Sequence, residues 1–136
     1  MPVAGVRRKA RERVLQFLFG LEFTRYGWED ALGTFWSMAP ARPSVKQYAE
    51  TVIGGVYEHL GDLDRDIDAA LQNWSPERVG RVERNVLRIA LFEMRFMSDV
   101  PPAVAINEAI ELAKIYGAED ASRFVNGVLD RLRERK

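Results

Sequence analysis

Arg7, Arg8, Lys9, Arg11 and Arg13 crowd the stretch VRRKARERVLQFLF (residues 6–19) around one acid, Glu12. Guanidinium and ammonium groups in that density do one kind of chemistry well: they neutralise and hydrogen-bond phosphates. The cations fall at the start of a helix-forming stretch, where the backbone dipole disfavours positive charge. That placement costs a little stability unless something anionic binds, and the unpaired N–H groups of a helix start add to an anion site. A solvated basic face has the same composition, so the cluster alone leaves both readings open.

Other residue types argue against catalysis. The chain has no cysteine and a single histidine, His59, so thiolate metal sites and Ser-His or Cys-His dyads have no material. His59 falls near the predicted end of a helix, where a structural or surface role suits it. Asp62, Asp64, Asp66 and Asp68 in DLDRDID imitate a calcium loop but lack its central glycine and terminal glutamate. On a helix, residues two apart point roughly 200° apart, so these carboxylates diverge and read as a cap plus a solvated acidic face. Gly54-Gly55 follows no strand and precedes no Lys-Ser/Thr, so a close helix crossing explains it better than a phosphate loop. No catalytic residues, metal site or cofactor are expected.

The elements that must carry these residues are helices. Val6, Ala10, Val14, Phe17, Leu18 and Leu21 recur at helical spacing, while Leu15, Phe19 and Phe23 form a second apolar strip beside Arg8 and Glu12. That strip suits either a partner surface or a two-sided core contact. A short helix follows near Trp28 to Met38, with Trp28, Ala31, Leu32 and Phe35 inward, and Pro40 and Pro43 break the pattern. Ser44 and Gln47 look like a capping box for a third helix, closed by Gly61, and Asp62 like the cap of a fourth. Ser75-Pro76-Glu77 reads as cap, first-turn proline and favourable acid for a long central helix. SDVPP ends it; a sixth helix runs to Gly117, and a seventh from about Glu119 into the basic tail. The expectation is an all-α fold of about seven helices in one domain over residues 1–136.

Twenty basic and twenty acidic residues cancel, yet both ends are basic and the body is acidic. Attraction for a polyanion is therefore local. No segment nears the roughly 18 apolar residues of a membrane span. The start faintly imitates a secretory signal, but Gln16 and Glu22 interrupt it and no cleavage site follows. A cytoplasmic location is expected.

The second half carries a specific combination. VLRIA, SDVP, AINEAIELAK, YGAED and FVNGVLD occur in that order within residues 82–130, and RRKARERVLQFLF stands at the other end. Together these closely resemble the NusB family of bacterial transcription antitermination factors, over nearly the whole chain and most weakly between about residues 24 and 50. The resemblance implies two packed helical sub-bundles, at about 1–75 and 76–136, without catalytic activity. It implies binding to boxA RNA together with NusE, a ribosomal small-subunit protein, in a complex with RNA polymerase and other Nus factors. Ribosomal RNA transcription and small-subunit assembly are the associated roles. Some relatives are dimers, so a monomer or homodimer is expected.

Carried over by position, the resemblance assigns RNA binding to Arg7, Arg8, Lys9, Arg11, Arg123 and Phe124. It assigns partner binding to Phe19, Glu77, Glu83 and Asp120. Phe19 stands where relatives commonly have tyrosine, so an aromatic contact transfers but a hydroxyl bond does not. Phe124, beside Arg131 and near Arg123, is suited to stacking an unpaired base and equally to an ordinary core. Asn107 and Asn126 are expected in buried hydrogen-bonding roles. Two rivals remain. A NusB-like domain fused to an RNA cytosine methyltransferase would need a nucleotide-binding domain, and 136 residues leave no room for one. A purely protein-binding or self-associating helical module is the other.

Overall fold

The 3.6-residue apolar period takes physical form in seven helices among the described residues: α1 (Val3–Gly20), α2 (Trp28–Met38), α3 (Pro43–Glu58), α4 (Leu60–Ala70), α5 (Arg81–Phe96), α6 (Pro102–Tyr116) and α7 (Ala121–Glu134). The structure, a computed structural model, describes residues 3–21, 27–72, 74 and 79–134. No strand occurs among them. The expected all-α class and helix order hold. The cap at Ser75-Pro76-Glu77 lies outside the described residues, and α5 itself begins at Arg81 with Gly80 before it. The chain forms two compact units, 1–54 and 55–136, which divide inside α3.

In the first unit, Ala10, Val14, Leu15, Phe17 and Leu18 of α1 are buried, with Trp36 of α2 and Val45, Ala49, Val52 and Ile53 of α3. Leu15, expected on a second strip, is 2% exposed and belongs to the core. Phe17 meets the Phe35 ring edge-on at 5.2 Å. Trp36 is the buried aromatic of α2, and its indole N–H donates to Glu50 Oε2 at 2.8 Å. α3 starts one residue before the expected cap: the Lys46 N–H donates to the Arg42 carbonyl, and Pro43 opens the helix. Proline is at home there, because its missing N–H is one of the unpaired four.

In the second unit α5 is the central helix, packed by α4, α6 and α7. Every residue from Asn85 to Glu93 is buried. Gly55 makes the α3–α5 approach possible: a Cβ there would lie 2.1 Å from the Phe92 ring. α4 begins at Leu60 and includes Gly61, so Asp62 sits in its first turn instead of capping it. The acidic run is a solvated face only in part: Asp62 and Asp68 are exposed, while Asp64 and Asp66 are half-buried. Asp64 takes a bidentate pair from Arg88, Nε and Nη2 both at 2.8 Å. Asp68 accepts from Arg84 at 2.8 Å, and Asp66 from Arg95. These pairs stitch α4 to α5. The Arg95 hydrogen bond holds the Asp66 carboxyl below the usual range; burial opposes this, and the charges of Arg95 and Arg65 reinforce it. His59 stacks on Phe96, centroids 4.0 Å apart.

Candidate nucleic-acid interface

Two groups of candidate residues emerge, one in each unit. The first sits on α1. The helix has no acid in its first turn, where one would offset its cations. Arg8 and Lys9 are exposed and Arg7 is half-buried. The Arg7 guanidinium lies 4.6 Å from the centroid of the Tyr48 ring on α3. Arg11 is placed differently. It is 4% exposed, with its guanidinium 5.8 Å from the same ring centroid. The tyrosine therefore divides the basic stretch: it orders Arg7 at the surface by a cation–π contact while Arg11 is drawn inside. Tyr48 was not among the sequence candidates, and nothing local to the α1 sequence points to it.

The same end of α1 borders an open groove of about 760 Å³, lined by Lys9, Arg13, Pro40 and Arg42 among others. Arg13 and Arg42 are further cations that the resemblance did not select.

The second group surrounds the turn between α6 and α7. Glu83, Ala118, Glu119, Asp120, Ala121 and Phe124 line a pocket of about 270 Å³. Glu83 is 6% exposed, and its Oε2 accepts the Ala118 N–H at 2.9 Å. Its carboxylate thus holds the turn in place from α5. Gly117 is required by the same closeness: a Cβ there would lie 2.8 Å from the Ala113 carbonyl and 2.9 Å from Glu83 Oε2. Asp120 is exposed just before α7, and its carbonyl accepts the Phe124 N–H at 3.2 Å. Its negative charge there suits the helix dipole.

Phe124 is 9% exposed and meets the Trp74 ring edge-on at 4.9 Å. It is a core residue that also forms the pocket wall. Arg123 is exposed, and Arg131 reaches back to the Ala70 carbonyl at 3.4 Å. Phe19 on α1 is 38% exposed. Glu77 and Phe23 lie outside the described residues. Asn107 and Asn126 are exposed, contrary to the expectation of burial, while Asn85 is buried and accepts from Arg88 at 2.7 Å. Both expected positions fall on the polar sides of amphipathic helices, and local sequence did not reveal that.

The NusB family model matches residues 8–134. The transcription antitermination protein NusB of Sorangium cellulosum is 45% identical over 130 residues, covering 96% of this chain and 93% of its own. That of Anaeromyxobacter dehalogenans is 46% identical over 127 residues, covering 93% and 89%. The solved structure of T. maritima NusB superposes with a TM-score of 0.82 at 38% identity, over 99% of this chain and 92% of that one. A crystal structure of antitermination factors NusB and NusE in complex with dsRNA shares the fold, with a TM-score of 0.85 at 24% identity over 96% and 98%. With sequence and fold matching over nearly its full length, the chain belongs to the NusB family.

Proposed function

We propose that this protein is an RNA-binding adaptor of transcription antitermination. It binds boxA-type RNA together with a NusE-type ribosomal protein, and the pair joins RNA polymerase and other Nus factors. It catalyses no reaction; its work is to hold RNA and protein in one geometry. The observation that carries this reading is the family match over residues 8–134, which takes in Arg8, Lys9 and Arg11 of α1. A protein of the same fold crystallised with NusE and dsRNA supports the choice of partners.

The chemistry assigns distinct roles. Exposed Arg8 and Lys9 hold phosphates, and Arg7 does so from its platform on Tyr48. Buried Arg11 shapes this face from behind. Phe19 and Asp120 present an aromatic and an acidic contact to the protein partner. Glu83 acts on the Asp120 contact, within the second unit, by fixing the α6–α7 turn, since its carboxylate is already engaged there.

Replacing the exposed pair, Arg8→Glu with Lys9→Glu, tests the RNA face. Surface changes of this kind leave stability within about 0.5 kcal/mol. RNA affinity at low salt should fall at least about tenfold, because two phosphates are no longer neutralised and release no counterions. Unchanged affinity, with far-UV circular dichroism also unchanged, contradicts the assignment.

A further inference from the structure

Arg7 and Arg11 stand about one turn apart on α1, and both reach the same ring on α3. The Arg7 guanidinium lies over Tyr48 at 4.6 Å from the ring centroid, and that of Arg11 at 5.8 Å. Like charges at this spacing on a helix repel. The start of α1 adds to the cost, since it carries Arg7, Arg8 and Lys9 within its first two turns and has no acid in its first turn. The electron-rich face of one tyrosine, shared by two guanidiniums, offsets part of both.

The two contacts differ in a way that matters to a ligand. Arg11 is 4% exposed, so its contact belongs to the packing of α1 against α3. Arg7 and Tyr48 are both half-buried, so theirs lies at the surface. A guanidinium engaged by its face keeps the N–H groups in its plane for a phosphate, so ring and phosphate do not compete. An arginine ordered only on binding loses rotamer freedom at that moment. One that the fold has already ordered does not.

We propose that Tyr48 is a positioning residue for RNA binding. It acts through Arg7, holding that side chain from α3 in the conformation that meets the RNA, while buried Arg11 anchors the ring from the inside. This rests on the RNA-binding reading above. The contribution is one of order, not of charge: replacing the ring leaves every cation of α1 in place and still weakens binding.

The test uses the full-length protein with a boxA-like RNA and the NusE-type subunit. It compares Tyr48→Phe, Tyr48→Leu, Arg7→Gln and the Tyr48→Leu/Arg7→Gln double variant. Tyr48→Phe keeps the ring and should stay within about twofold of the wild type. Tyr48→Leu should lose about three- to tenfold in affinity. Added to Arg7→Gln, the same change should cost nothing further, because the group it positions is gone. No loss for Tyr48→Leu, or an equal loss with and without Arg7→Gln, overturns the role. Should Tyr48→Leu not fold, Arg7→Lys reads the same contact, keeping the charge without the planar face. It should lose affinity in the same range, and an unchanged affinity overturns the role. A second readout needs no RNA. The ring current of Tyr48 should displace the Arg7 side-chain proton resonances in the wild type and in Tyr48→Phe, but not in Tyr48→Leu. Identical resonances in all three overturn the contact itself. If the wild type shows the displacement but binds no RNA, the adaptor reading fails and takes the RNA role of Tyr48 with it, while the contact stands.

Discussion

Glu83 joins α5 to the α6–α7 turn through one hydrogen bond, from the Ala118 N–H at 2.9 Å. Removing that acceptor in Glu83→Ala strands a part-buried N–H, and the expected cost is about 1–3 kcal/mol of unfolding free energy. Glu83→Gln keeps an acceptor oxygen and should recover most of it. Urea unfolding of the two variants checks this; a cost for Glu83→Ala within the noise, or an equal cost for both, contradicts the role. This residue also marks a limit of sequence reading. Its importance was legible from the family motif, but its task was not, because the turn it holds lies far along the chain. Arg11 differs in the same way. Within a run of cations every member looks exposed, and only the position of Tyr48 on another helix separates the buried one from the rest.

The helices themselves were legible, since apolar residues at 3.6 spacing report burial directly. Val86, Ile89 and Ala90 identified the central helix, and all three are buried. What local patterning did not reveal is pairing between helices. The run DLDRDID has the composition of a solvated acidic face, and only the register of α4 against α5 gives Asp64, Asp66 and Asp68 an arginine each. Gly55 is a partial exception: a glycine pair inside a helix pattern signalled a close crossing, without naming Phe92 as the neighbour.

The Asp66–Arg95 pair between α4 and α5 has a pH signature. Arg95 holds the Asp66 carboxyl below the ordinary aspartate range. A depressed folded value contributes stability that is complete above the unfolded value, about 4, and is lost as pH falls through the lowered one. The stability difference between the wild type and Asp66→Asn should thus be constant well above the unfolded value of about 4 and shrink as pH falls below it. Urea midpoints measured across that range test the ion pair; a difference independent of pH contradicts it.

For the molecule as a whole, a net charge of zero conceals local basicity. Long-range steering of RNA is therefore weak, and the function proposed above rests binding on short-range contacts from Arg7, Arg8 and Lys9 and on the partner protein. On the function proposed above, RNA affinity rises when the NusE-type subunit is present. The direct test is an anisotropy titration of boxA-like RNA and a scrambled RNA of equal length, each with and without that subunit, at fixed salt. The account predicts at least about tenfold preference for the boxA-like strand with the subunit present, and weaker binding of both strands without it. Equal affinities for the two RNAs, unchanged by the subunit, would contradict it.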